Sequence, residues 1–293
     1  MNRRASLWAT LLAVWVLLAV SVSARQTDDV IELRFETADE LVMYGWLTPS
    51  PVADNPAPLW VLLHQRAQDH TSWNGLIQSI SRRFLDKKAK PIAHPHILVV
   101  DLRGHGRSTQ LGKFSVSHVN MRNEHLQQMP LDIAQMLRQF MRNDQVDLLI
   151  DTANTVFIGS SIGANTAVMA AADLDILPVR AIAMLSPGEE YAGMKPFAAM
   201  QQFTGDMLVM TAIEDLLAAA SADYFERKLD HVQVIRYPDY AHGIDILDRY
   251  PESVRDLLNW LLDPQRYQPR PPESKEDEAP ADVPEDPLEL EFE

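Results

Sequence analysis

The sequence predicts an α/β fold: a mostly parallel sheet of about eight strands, opened by an antiparallel hairpin and covered by helices on both faces. Three observations lead there. First, "LWVLLH" (59–64), "HILVVD" (96–101), "TVFIGS" (155–160), "AIAMLS" (181–186), "DMLVMT" (206–211) and "VQVIRY" (232–237) are short apolar runs without strict alternation. Strands buried on both faces have this texture, and both faces are buried when a sheet is parallel. Second, helix-like stretches separate these runs, at 73–84, 131–141, 162–172, 218–227 and 254–262. Alternation of strand and helix at this spacing gives a parallel sheet clothed on both sides. Third, "VIELRFET" and "LVMYGWLT" alternate apolar and polar residues on either side of Ala38-Asp39-Glu40, the pattern of an antiparallel hairpin. Residues 112–129 show no readable period.

The 293 residues, 46% hydrophobic and 23% charged, suit one large domain with a sizeable core, expected over 25–263. The net charge of -15 is unevenly spread: ten acidic residues and one lysine lie in 271–293, so -9 of it sits there. What remains carries no basic stripe, and nucleic-acid binding lacks its electrostatic footprint. The segment 264–293, rich in proline and acid, has too little apolar surface to offset its ordering entropy and reads as a disordered tail with no identified partner.

The chain has no cysteine, which excludes disulfides, thiolate metal sites and cysteine nucleophiles. At the N-terminus, Arg3 and Arg4 precede an apolar run from Leu7 to Val20 and the small-residue stretch Val22-Ser23-Ala24. This is the form of a secretory signal peptide over 1–24, with export to a periplasm or the exterior and a mature chain starting at Arg25. The alternative is an uncleaved N-terminal membrane anchor, for which the run is short. After cleavage no stable membrane span is expected.

Open parallel sheets place their chemistry at the carboxyl ends of the strands. Applied here, that rule gathers three distant residues. Ser161 lies in Gly159-Ser160-Ser161-Ile162-Gly163, between a strand and a helix start, where a sharp turn exposes a hydroxyl beside free N–H donors. Asp215 follows the strand "DMLVMT", and His242 follows the last strand in "YPDYAHGID". Nucleophile, acid and base thus come in the order Ser, Asp, His. Alternatives stand beside them: Ser161 as a helix N-cap, Ser160 as the hydroxyl, and Glu214 as the acid. His64, His94, His96 and His105 match no metal-ligand spacing, so neither metal nor cofactor is expected.

In "LLHQRA", "DLRGHGRS", "GSSIG", Asp215 and His242 within "AHG", taken in order, the chain resembles the α/β-hydrolase fold superfamily over nearly all of 30–262. The runs "LSPGEEYAGMK" and "GSSIGAN" are similar to those of bacterial dienelactone-hydrolase-like and serine-aminopeptidase-like hydrolases. The resemblance implies a Ser161–His242–Asp215 triad acting through an acyl-enzyme, with carboxylic esters as the expected substrates. It implies an oxyanion hole made of the Ile162 amide and one from Gln65 or Arg66. Gln65 stands where the family commonly has glycine. The glycines of "DLRGHGRS" are expected to form a tight turn, with Asp101 and Arg103 pairing locally. Only 17 residues, 189–205, separate "LSPG" from the next strand, too few for a large lid there. Two other readings use the same residues differently: an amidase or peptidase with this triad, and a non-catalytic exported scaffold that binds a partner.

Overall fold

A computed structural model describes residues 30–51, 55–85, 94–143, 148–175 and 177–267. The expected leader over 1–24 and residues 268–293 of the expected tail lie outside the described residues. The first four residues assigned to that tail, 264–267, are instead an ordered turn, with Pro264 buried and its carbonyl accepting from Gln233 Nε2 at 3.0 Å and Tyr267 packed on the core. In chain order the strands are β1 (Ile31–Glu36), β2 (Leu41–Thr48), β3 (Ala57–Leu63), β4 (His96–Val100), β5 (Gln110–Leu111), β6 (Phe114–Ser115), β7 (Ile150–Ser160), β8 (Val179–Leu185), β9 (Asp206–Ala212) and β10 (Val232–Tyr237). The helices are α1 (Asn74–Leu85), α2 (Asn123–Leu126), α3 (Met129–Met141), α4 (Ile162–Ala172), α5 (Phe197–Gln202), α6 (Leu216–Lys228), α7 (Asp245–Arg249) and α8 (Pro251–Leu262).

All ten strands join one sheet in the order β10-β9-β8-β7-β3-β4-β2-β5-β6, with β1 pairing β2. From β10 to β4 every pairing is parallel. The β1–β2 hairpin joins this block antiparallel through β2 and β4. The apolar runs without alternation arise because β3 and β7 are covered twice. Leu59, Val61 and Leu63 of β3 enter one core with Phe157 of β7 and with Ile133, Leu137, Ile162, Ala164, Val168 and Phe225. Trp60 and Leu62 enter the other, with Val156, Ile158, Leu76, Ile80, Leu257 and Trp260. Successive residues feed opposite layers, as the pleat dictates, and each fully buried aliphatic side chain contributes roughly 1.5–3 kcal/mol.

The unreadable stretch resolves into the short β5–β6 ladder and the one-turn α2, elements too brief to impose a period on sequence. Arg103 departs from expectation. Its guanidinium, 2% exposed, does not pair with Asp101. It bonds Asp132 of α3 at 2.6 and 2.7 Å and Asp39 of the β1–β2 turn at 2.7 and 3.0 Å. A buried guanidinium needs carboxylates to offset its desolvation, and Arg103 finds two on separate elements. Asp101 instead serves His70 and the Arg107 amide. Among the described residues no helix is long and apolar enough to cross a membrane.

Candidate functional site

Strands β3 and β7 pair as far as Leu63 and Gly159, and β7 and β8 as far as Ser160 and Leu185. Their following loops therefore leave the sheet at one level. At this level β7 turns into α4 through Ser161, whose φ of 51° and ψ of -114° lie in a region non-glycine residues rarely occupy. Such a conformation costs about 1–3 kcal/mol and persists only when its surroundings enforce it. Here they do. The Ser161 amide donates to Leu185 O at 2.8 Å, and α4 packs so close to the strands that a Cβ on Gly163 would overlap the Leu63 carbonyl and one on Gly159 the Gly163 carbonyl.

The Ser161 hydroxyl caps no helix amide. It faces His242 Nε2 at 2.8 Å, while His242 Nδ1 faces Asp215 Oδ2 at 2.7 Å. With Nδ1–H donating to the carboxylate, Nε2 is left as the acceptor of the hydroxyl proton. The three residues come from the ends of β7, β9 and β10, 54 and 27 residues apart in sequence. Asp215 is buried, and burial pushes its pKa up. The bond from His242, the His242 charge and the Ser186 hydroxyl outweigh that and hold the carboxyl below its ordinary value. The carboxylate is thus kept ionised beside the ring.

The competing residues are otherwise engaged. Ser160 is fully buried, and its hydroxyl donates to Gln65 Oε1 at 2.8 Å. Glu214 is exposed, turned out of the cluster that its neighbour Asp215 enters. Sequence reasoning missed Ser186 at the end of β8. Its Oγ accepts from the Gly243 amide at 2.9 Å and bonds Asp215, so it joins the loops that carry acid and imidazole. The only signal for it was a polar residue closing an apolar strand at the shared edge.

Residues 58–209 match the α/β hydrolase fold family. The chain belongs to that family. Among solved structures this hydrolase fold is similar to acetyl xylan esterase 1 from a Thermoanaerobacterium species: 14% identity, 79% of this chain and 86% of the other, TM-score 0.58. It is similar to the acetyl xylan esterase of a Paenibacillus species, with 14% identity over 81% and 85% of the two chains and a TM-score of 0.61. It is also similar to an acylaminoacyl peptidase of Pyrococcus horikoshii, at 14% identity and TM-score 0.62, covering 85% of this chain but 43% of that one. Likenesses at such identity establish the architecture. No curated protein matches the chain in sequence.

Within the hydrolase fold, the Ile162 amide opens α4, where first-turn N–H groups have no helical acceptor. The Gln65 and Arg66 amides lie in the turn after β3, closed by Gln68 N–H to Gln65 O at 3.3 Å. His64, fully buried, braces this turn: Nε2 accepts from Leu102 N–H at 3.0 Å, so Nδ1 carries the proton and donates to Gln65 O at 2.7 Å. The Gln65 side chain turns toward Ser160 and Ile244 N–H. The Arg66 side chain spans two segments, bonding Tyr191 Oη at 3.0 Å and His118 O at 3.1 Å. Gln127 Nε2 adds a bond to Ala192 O at 3.0 Å. The stretch 189–205 holds only a bridged turn at Tyr191 and Met194 and the short α5, but it is bonded to the 112–129 segment. Arg66 and Gln127 thus tie two small segments to each other. Among the described residues no group of three or more His, Asp or Glu side chains converges as a metal-binding set.

Proposed function

We propose that the chain is a serine hydrolase that cleaves small carboxylic esters through an acyl-enzyme. One observation carries this reading: a single imidazole lies 2.8 Å from Ser161 Oγ and 2.7 Å from the Asp215 carboxylate. Ser161 Oγ attacks the carbonyl carbon as its proton passes to His242 Nε2. Asp215 favours the imidazolium that forms. The carbonyl oxygen, now negative, is held by the Ile162 amide and by that of Gln65 or Arg66. Collapse expels the alcohol, which takes the proton from His242, and water repeats the sequence to release the acid. No step needs a metal or cofactor.

Esterases among the similar structures favour an ester substrate, and the leader read at 1–24 favours action after export. Amide or peptide cleavage by the same three residues is the second reading, supported by the likeness to an acylaminoacyl peptidase. Turnover of p-nitrophenyl esters against the matching anilides separates the two. Ser161→Ala is expected to lower kcat on an accepted ester by at least ~10^3 and to abolish labelling by a fluorophosphonate probe. A wild-type chain that folds yet takes no probe would be a scaffold and not a hydrolase.

A further inference from the structure

Gln65 occupies a position where the α/β hydrolase resemblance leads one to expect glycine, and its side-chain oxygen is doubly engaged. Oε1 accepts from Ser160 Oγ at 2.8 Å and from Ile244 N–H at 3.0 Å. An N–H can only donate, so the atom facing Ile244 is the oxygen, and Ser160 must direct its own proton there too. These groups belong to three separate segments. One is the turn after β3, which bears the candidate oxyanion amides. Another is the residue immediately before Ser161. The third lies two residues after His242. Gly243 passes directly over the junction with φ +59°, and a Cβ on it would overlap both Gln65 Oε1 and Ser160 Oγ. The loop bearing the imidazole therefore runs with its backbone against this oxygen.

We infer that Gln65 is a positioning residue: through one side-chain oxygen it fixes the elbow of Ser161, the loop of His242 and the turn of Gln65–Arg66 relative to one another. The kinetic part rests on the serine hydrolase reading. The geometric part does not. Pairing in the sheet fixes β3 against β7, but β10 lies three strands away from β7. The imidazole loop must be held from outside the ladder. Ser186 does this from the acid's side through Gly243 N–H. Gln65 does it from the nucleophile's side through Ile244 N–H. Small displacements of reacting groups cost far more in rate than in binding.

The test uses the full chain with p-nitrophenyl acetate, a fluorophosphonate probe, and the low-field proton resonance of His242 Nδ1–H. Gln65→Leu keeps the bulk and removes the acceptor. It is expected to lower kcat about 10–100-fold with KM within about threefold, to slow probe uptake in parallel, and to broaden the resonance. Gln65→Glu, whose carboxylate accepts both donors, restores the resonance and most of the rate. Ser160→Ala alone costs about two- to fivefold, and adding it to Gln65→Leu costs nothing more, because both remove the same contact. Should Gln65→Leu not fold by circular dichroism, Ser160→Ala and Gln65→Glu carry the test, with the first slower and the second near wild type. Wild-type kcat and an unmoved resonance in Gln65→Leu overturn the inference. So do additive losses, or a Gln65→Glu variant as slow as Gln65→Leu. If the wild type neither turns over ester nor takes the probe, the hydrolase reading falls. The resonance then still decides the clamp: lost in Gln65→Leu and kept in Gln65→Glu supports it, and unmoved in both overturns it.

Discussion

Among the described residues two histidine–aspartate pairs stand at the carboxyl edge of the sheet, and they differ in what occupies the second ring nitrogen. His242 and Asp215 meet at 2.7 Å, His70 and Asp101 at 3.0 Å. Their side chains differ little in exposure: 35% and 9% in the first pair, 25% and 0% in the second. What differs is the occupation of each ring and carboxylate. His242 has a hydroxyl on its far nitrogen. His70 lies flat on Trp46, ring centroids 3.4 Å apart and planes 12° apart. Asp101 is consumed by the ring, the His70 amide and the Arg107 amide. The lesson is that an imidazole and a carboxylate in contact are a structural unit until a hydroxyl occupies the second nitrogen.

The comparison breaks most visibly at the acids. Asp215→Asn is expected to cut kcat on an ester about 10^2–10^4-fold, because the amide no longer favours the tautomer that accepts from Ser161. Urea unfolding of that variant should shift less than for Asp101→Asn, because the Ser186 hydroxyl and the His242 ring can turn to suit an amide whereas the main-chain N–H groups around Asp101 cannot. Asp101→Asn should do the reverse, since an amide nitrogen set among three donors leaves one or more unpaired. A loss of roughly 2–4 kcal/mol by urea unfolding is expected, with kcat preserved within a fewfold. If Asp101→Asn instead matched Asp215→Asn in rate, the distinction between the pairs would fail.

Acid sharpens the contrast at a third imidazole of the same edge, His105, which has no carboxylate bonded to it among the described residues. His105 is buried, stacked on His118 at 4.6 Å and edge-on to His64. Its Nε2 has no hydrogen-bond partner among the described residues. Burial first, then the nearby His64, His118 and Arg66, hold its pKa down at about 4. Between the ordinary value near 6.5 and about 4 the unfolded chain binds the extra proton and the folded chain does not. Stability is therefore full above the ordinary value and falls as the pH is lowered through this window, by up to about 3 kcal/mol. Urea midpoints measured from pH 8 to 4.5 should show this fall, reduced in His105→Gln. The smallest expected effect is that of His70→Phe, which keeps the stack on Trp46 and gives up one bond. Its kcat should stay within about threefold and its stability within roughly 1.5 kcal/mol.

Much of this was legible in the sequence because burial on two faces and strand–helix alternation leave long signatures. β3, β7, β8 and β9 stand out as apolar runs, and the β1–β2 hairpin as a change to strict alternation. The segment around Ser161 was legible as a turn because Gly159 and Gly163 flank it where a strand becomes a helix. Side-chain partners reached through the fold were not. Arg103 sits next but one to Asp101 in sequence, yet binds Asp39, 64 residues away, because hairpin and α3 converge on it only in three dimensions. Gln65 was visible as a departure from glycine. That its amide oxygen would reach Ile244, 179 residues on, depends on where β10 ends, which no local pattern records.

The order of the strands has a temporal consequence. The elbow of Ser161 is enclosed by β3, β7 and β8, all complete by residue 185, whereas the imidazole arrives only with the loop beyond β10. A nascent or half-threaded chain ending before residue 242 would carry a hydroxyl with nothing to take its proton. Hydrolytic competence, on the proposed mechanism, is switched on only once the loop beyond β10 is in place, so the molecule stays silent until its sheet is whole.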